Sequence, residues 1–391
     1  MLIQSPHDPA FIQDPYALYD QARAQGPVVF WQDYGMLAAF DHATVHALLR
    51  DKRLGRAVPD DKRKPVPDHL AAFDLVERHS LLELEPPAHT RLRRLVLHAF
   101  TSRRIAGLAP DIHAICDDLL GDLPDGAFDL IPAYCQLVPV RVIARLLGVP
   151  EAMAPDLLRW SSAMVAMYQA GRTRTIEEAA NTAAAEFTDF LRGYIEGRRS
   201  APGDDLISEL IAAQDGAQRL SPDEMIGTVI LLLNAGHEAT VHSLGNAVKC
   251  LIETGTTDAL GPARIEGTVE ELLRFTPPLH MFTRYAYERV EVGGHVMEPG
   301  DEIALMLGAA GRDPAVFADP HQFDPDRKKP AHLAFGGGLH FCVGAPLARL
   351  EMQIALPALF AHAPDLRITK EPMFSDSYHF HKLDALIVSQ T

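Results

Sequence analysis

The stretch Phe335-Gly336-Gly337-Gly338-Leu339-His340-Phe341-Cys342-Val343-Gly344-Ala345-Pro346-Leu347-Ala348-Arg349 decides the reading of this 391-residue chain. Three consecutive glycines remove every side chain from one wall, so the backbone can approach something bulky. One cysteine follows. Residues 343–360 then read as a helix, with Pro346 in its first turn, where a missing N–H costs little. Cys342 therefore falls at a helix N-terminus, where free N–H groups and the positive dipole end stabilise a thiolate. Such a thiolate is a metal ligand, a nucleophile or a buried structural thiol. A nucleophile would need a base and an orienter beside it, and His340 stands two residues away.

The spacing Phe-x-x-Gly-x-x-x-Cys-x-Gly, met by Phe335, Gly338, Cys342 and Gly344, resembles the haem-binding loop of the cytochrome P-450 family. Ala345 to Arg349 extends the match. The resemblance implies haem b with Cys342 as axial iron ligand, which pushes electron density onto iron to favour O–O cleavage. It also implies a mainly α fold with a minor β part. That fold is a triangular helical prism with haem between a long central helix and the Cys-loop helix.

The rest of the pattern agrees with a helical chain. Residues 14–25, 41–49, 86–100 and 263–275 read as helices, and 28–40 as short strands. Residues 55–80 read as a long loop with one short helix. Helical periodicity dominates 109–199, broken at Pro132, Pro150, Pro155 and Ala170-Gly171. Ser221-Pro222-Asp223-Glu224 is a capping box that opens a helix ending at Gly255. At 1.5 Å per residue that helix is about 50 Å long and crosses a whole domain. Residues 289–307 read as hairpin material with turns at Gly293-Gly294 and 298–301, and residues 374–388 as a final hairpin.

Inside the long helix lies Asn234-Ala235-Gly236-His237-Glu238-Ala239-Thr240. Glycine there costs about 1 kcal/mol against alanine, and a buried glutamate needs a partner. Local faults of this kind point to function or strain. The segment is similar to the family's oxygen-activation motif, in which an acid and a following threonine handle water and protons. Glu238 matches the acid; Ala239 occupies the usual threonine position, and Thr240 comes one residue late. Successive helix positions point about 100° apart, so Thr240 does not replace the missing hydroxyl.

Glu271-Leu-Leu-Arg274 resembles the family's structural Glu-x-x-Arg pair. Glu85-Pro-Pro-Ala-His89-Thr-Arg-Leu-Arg93 resembles the segment whose histidine and arginine, at i and i+4, hold haem propionates. Arg284 and His340 match further propionate partners, and charge-assisted bonds to carboxylates are the strong ones. Gly311-Arg312-Asp313-Pro314 and Phe323 to Arg327 match later landmarks, although the family usually has asparagine at Gly311. By the same resemblance Leu231, Asn234, Ala235, Leu279, His280, Phe282, His379 and Phe380 face the substrate, under a roof at residues 164–168. Asn234, His280 and His379 are polar for such a pocket, which implies a substrate with a hydrogen-bonding group.

Composition bounds the alternatives. The chain is 47% hydrophobic and 23% charged, with net charge −16, which argues against a nucleic-acid binder. Four scattered cysteines with no CxxC pair support neither a zinc site nor a disulfide framework. The start has no signal-peptide pattern, and no apolar run is long enough to span a bilayer, so the expected location is cytoplasmic. The expected organisation is one haem domain over residues 1–391 without a fused reductase or ferredoxin. The expected reaction is oxidation of a small organic substrate with O₂ as co-substrate. Arg91, Arg94, Arg103 and Arg104, with Arg327, Lys328 and Lys329, stand out against the acidic background. The first four are expected to steer an acidic ferredoxin. A peroxide-using peroxygenase and a non-catalytic haem-based ligand sensor share the same cofactor residues.

Overall fold

The computed structural model describes residues 1–168, 171–213, 219–328, 332–378 and 380–390. His379, one of the expected pocket residues, and Lys329 lie outside the described residues. The architecture is mainly helical with short sheets, as the sequence implies.

The central helix, Pro222–Thr254, runs for 33 residues. Its capping box is complete. The Ser221 hydroxyl accepts from the Glu224 amide at 3.2 Å, and the Glu224 carboxylate accepts from the Ser221 amide at 2.9 Å. Gly255 closes the helix in the left-handed region at φ 65°, where glycine carries no Cβ penalty. Apolar side chains leave on several sides: Met225, Val229, Leu233, Leu244, Val248 and Leu251 are all at most 1% exposed. Helices Leu137–Leu147, Ala154–Val165, Ala71–Glu77 and Ala345–His362 pack around it. Gly236 has a packing reason, because a Cβ there would lie 3.2 Å from Ile143 Cδ1 of the Leu137–Leu147 helix.

The Cys-loop helix is Ala345–His362, starting two residues later than its sequence pattern suggests, with Gly344 as its N-cap. The helix carrying His89 and Arg93 is Ala88–Ala99.

The β component departs from expectation. Only Val290–Val292 and His295–Met297 form the expected hairpin, around Gly293 and Gly294 in positive φ. Glu302–Met306 leaves it and enters a five-stranded sheet. The order there is Val28–Trp31, Met36–Ala39, Glu302–Met306, Met281–Ala286, Leu54–Gly55. Glu302–Met306 pairs parallel with Met36–Ala39 and antiparallel with Met281–Ala286. Its buried run Ile303 to Met306 is satisfied only by partners on both edges. The final hairpin is likewise corrected. Phe374 and Leu383 form a single bridge, and Ile387–Ser389 pairs instead with Ala127–Asp129 and Arg367–Ile368. Val388, fully buried, lies in register between Phe128 and Ile368.

Helix Ile265–Phe275 ties the Cys-loop region together. Arg274 meets Glu271 through two bonds of 2.6 and 2.7 Å. It also donates to the carbonyls of Gly311, Pro320 and Gln322. Arg327 joins the same carboxylate at 3.1 Å. On the neighbouring position, Glu270 takes Arg349 of the Cys-loop helix and His332 of the preceding loop. The Glu-x-x-Arg pair is therefore the centre of a buried network clamping residues 311–327.

Candidate functional site

The loop before Cys342 is shaped by contacts within the chain. Gly338 has φ 65°, and a Cβ there would strike the Leu49 carbonyl. Gly336 has φ 70° and packs on Phe282, whose Cε2 lies 3.1 Å from where a Cβ would stand. The bulky neighbour of this glycine run includes the chain's own Leu49–Arg50 and Phe282. The loop closes through the Cys342 amide, which donates to the Phe335 carbonyl at 3.1 Å. Cys342 keeps one exposed side. Protein crowding round the rest of the thiol pushes its pKa up, against the Gly344 and Ala345 amides and the charges of Arg93 and Arg349. A thiol in that balance stays protonated until a metal displaces the proton.

Arg93, His89, His340 and Arg284 gather around this loop. Arg93 donates to the Phe341 carbonyl at 2.7 Å, and its charge reaches Cys342. His89 is 1% exposed, its ring 4.4 Å from that of His340. Burial, then the charges of His340 and Arg93, lower the His89 pKa to about 4, so its imidazole is neutral. His340 Nε2 lies 2.9 Å from Glu85 Oε1. Arg284 is 3% exposed, and its side chain donates to the Thr283 carbonyl at 2.7 Å. Burial and neighbouring Arg56 lower its pKa to about 10.

Two members of this cluster have no place among the expected ligands. Glu85 accepts from the Arg56 amide at 2.6 Å while holding His340. Arg56 lays its guanidinium 5.7 Å from the Phe282 ring and presses its charge on Arg284 and His89. Glu85 had a signal, since it opens the proline motif that carries His89. Arg56 had none, because it lies in a loop without periodicity.

This donor set fits a planar dianion. Among the described residues, no carboxylate lies within ion-pair reach of Arg284, and His89 Nδ1 is buried without a partner. Arg56 is paired with Glu83 at 3.7 Å and Glu85 holds His340, but Arg93 and Arg284 have no carboxylate partner among the described residues, and two propionates would supply that negative charge.

On the central helix the acid is well defined. Glu238 Oε1 lies 3.1 Å from His242 Nε2. Burial pushes the carboxyl up, but the bond with His242 and the charges of His242, His237 and Lys382 outweigh it and hold the pKa down to about 2. Thr240 turns its hydroxyl back to the Gly236 carbonyl at 3.3 Å, so it offers nothing in place of the missing threonine at Ala239. Ala235 is exposed in mid-helix, unlike its buried neighbours Leu233 and Asn234.

The pocket residues divide. Asn234 is buried, with Nδ2 3.7 Å from Met164 Sδ and Oδ1 unpartnered. Leu279 bridges Phe380, and the Phe380 ring stands edge-on to His242 at 6.0 Å. Leu231 is half-buried on the central helix. Phe282 sits beside Gly336 of the cysteine loop. His280 is a correction. It is fully buried, with Nδ1 2.8 Å from the Tyr19 hydroxyl and its ring among Tyr16, Tyr378 and His381. It belongs to the aromatic core under the sheet, bonded there through Nδ1, while its Nε2 is buried without a partner. At the roof, the Tyr168 hydroxyl donates to Glu77 Oε2 at 2.8 Å. The basic patch is also smaller than expected: Arg91 is paired with Glu224, and Arg104 with Asp204 and Glu209. Arg94 and Arg103 are exposed on the surface, and Arg94 too has an interaction partner.

Known proteins are similar to this chain in sequence and fold. The family model for cytochrome P450 matches residues 265–362. Cytochrome P450 monooxygenase PikC of Streptomyces venezuelae is 37% identical over 377 residues, 93% of this chain and 87% of that protein. 6-Deoxyerythronolide B hydroxylase of Saccharopolyspora erythraea is 37% identical over 92% of this chain and 91% of its own length. Among solved structures, the bacillaene polyketide synthase cytochrome P450 PksS of Bacillus subtilis superposes with TM-score 0.89 at 32% identity, covering 99% of this chain and 100% of that one. P450BioI in complex with a hexadec-9Z-enoic acid ligated acyl carrier protein gives 0.90 at 30% identity, covering 98% and 99%. These likenesses define an oxygen-inserting oxidoreductase that uses haem. The chain belongs to the cytochrome P450 family and is a P450 monooxygenase. Among the described residues no helix is long and apolar enough to cross a membrane.

Proposed function

We propose that the chain is a single haem b domain in which Cys342 ligates the iron and His89, Arg93, Arg284 and His340 hold the propionates. The observation that carries this is Arg284, a buried cation with no carboxylate in reach among the described residues, beside the unpartnered Nδ1 of His89. When bound, haem supplies oxygen activation under thiolate donation. The chain does the rest. The Gly344 and Ala345 amides support the sulfur. Glu238, ionised beside His242, holds water and protons on the distal side, and Ala239 adds no hydroxyl there.

The substrate is a small organic molecule with a hydrogen-bond donor, which meets Asn234 Oδ1. Leu231, Ala235, Leu279 and Phe380 supply the apolar wall. The names of two relatives, a 6-deoxyerythronolide B hydroxylase and a polyketide-biosynthesis P450, point to hydroxylation of a polyketide-type compound. Electrons come from a separate ferredoxin that docks near Arg94 and Arg103. Charge reversal at those two positions slows reduction and flattens its salt dependence.

A screen of hydroxylated polyketide lactones for spectral shifts tests the site. Asn234→Leu weakens a donor-bearing ligand about tenfold and spares an unfunctionalised hydrocarbon. Equal binding of both ligands by both proteins would sink the pocket assignment. The reduced CO complex of Cys342→Ser loses the red-shifted carbonyl band that the parent shows. The missing hydroxyl at Ala239 favours one second reading, peroxide-driven oxygenation; turnover with peroxide that exceeds turnover with the redox chain would select it.

A further inference from the structure

Glu238, His242 and Asn246 recur at four-residue intervals, so they share one face of the central helix. Asn246 Nδ2 donates to the His381 carbonyl at 2.8 Å. That bond fixes the C-terminal segment carrying Phe380 and Lys382 against the same face. Three basic groups surround the Glu238 carboxylate: His242 and His237 on its own helix, and Lys382 on that segment. Among the described residues Ser161, from helix Ala154–Val165, reaches His237, with Oγ 3.3 Å from Nδ1.

A histidine on the buried face of a helix is unfavourable by both propensity and desolvation, so His242 calls for a reason. The bond to Glu238 supplies one. An ionised carboxylate carries no proton of its own to give, so a proton that passes through it must arrive from a neighbour. His237 is fully enclosed. Burial lowers its pKa, and its Nε2 stands 3.5 Å from Glu238 Oε2, outside good hydrogen-bond geometry. Lys382 acts on Glu238 as a nearby charge. His242 combines a bond of 3.1 Å with a side chain that keeps 9% of its surface exposed. Imidazole also changes charge between about pH 5 and 8.

We propose that His242 is the positioning residue that reloads Glu238 with protons from solvent. The imidazolium gives its Nε2 proton to Glu238 Oε1, and the neutral ring takes up another proton from water. No electron moves in this step. The inference rests on Glu238 being the distal acid.

The test uses the haem-loaded full chain. In the diamagnetic reduced CO form, the His242 Nε2–H NMR signal, assigned by its loss in His242→Gln, shifts in Glu238→Gln because the two groups share a hydrogen bond. Glutamine at 242 keeps a hydrogen-bond donor but does not titrate. His242→Gln therefore leaves the carbonyl band and the unfolding midpoint unchanged. With electrons from a plant-type ferredoxin and its reductase and no added substrate, it at least doubles the fraction of O₂ released as peroxide at pH 7.5. It also flattens the dependence of that fraction between pH 5 and 8. A His242 Nε2–H signal unmoved by Glu238→Gln overturns the proposal. So does His242→Gln with the parent peroxide fraction and pH profile while Glu238→Gln is impaired. If Glu238→Gln also matches the parent, the reading of Glu238 itself fails.

Discussion

Arg274→Leu removes five hydrogen bonds at once, two to Glu271 and three to the carbonyls of Gly311, Pro320 and Gln322. What it leaves behind sets the size of the effect. Glu271 is fully buried and, among the described residues, keeps Arg327 and the Asp324 amide as partners. Breaking a buried pair by removing one partner costs about 3–5 kcal/mol, a large share of a typical folding stability of roughly 5–15 kcal/mol. The loss falls on residues 311–327, which lead into the cysteine loop, so haem retention drops together with stability. Urea unfolding followed by far-UV circular dichroism, run beside haem loss to an apo-globin acceptor, reads both. Glu271→Leu/Arg274→Leu recovers part of the loss, because no buried charge is left alone. A single-variant cost below about 1 kcal/mol would refute the buried-network reasoning. So would a double variant no better than the single.

Arg284→Met separates cofactor binding from folding. The haem-free protein loses a buried cation and becomes no less stable, while haem dissociates about tenfold to a hundredfold faster, the worth of one charge-assisted bond. Equal retention by both proteins would remove Arg284 from the clamp. Glu77→Gln tests the roof. Burial raises the Glu77 pKa from 4.5 to about 7. The folded state thus holds that proton more tightly than the unfolded chain, and the associated stability, full below pH 4.5, is lost as pH rises through 7. Glutamine therefore stabilises by about 1–3 kcal/mol at pH 8 and by little at pH 4, as denaturation at the two pH values will show. Ala239→Thr places a hydroxyl beside Glu238 and lowers the peroxide fraction in reductase-driven O₂ consumption; an unchanged fraction would mean that this position does not limit proton supply.

The readable parts of this chain were those with local signatures. The capping box at Ser221, the left-handed stop at Gly255 and the glycine–cysteine spacing each act within a few residues, and each stands where the pattern puts it. Strand Met281–Ala286 carries no such signal. Its alternation is broken by Arg284, a buried cation, and its partners lie elsewhere in the sequence, at Leu54 and Glu302. Arg56 escaped for the same reason, since its meaning comes from Arg284, more than two hundred positions away; Glu85 stood in a readable motif, but its bond to His340 spans as far. His280 shows the opposite failure. A position carried over by likeness took its polar side chain for a substrate contact, whereas the tyrosines around it use that side chain to fill and bond the core. The ion pairs of Arg91 and Arg104 were hidden because a run of arginines looks the same whether or not acids fold back onto it.

The contact between Gly338 and the Leu49 carbonyl has a consequence for biosynthesis. The cysteine loop takes its shape against a helix end made almost three hundred residues earlier, and strand Glu302–Met306 waits on Met36–Ala39 in the same way. Pairings this distant form late, after loop closure has been paid in entropy. The ribosome must therefore release nearly the whole chain before the thiol has a wall to rest on. A released chain lacking residues 1–50 keeps Cys342 but leaves its loop without that wall, and is expected to retain haem more weakly than the full chain.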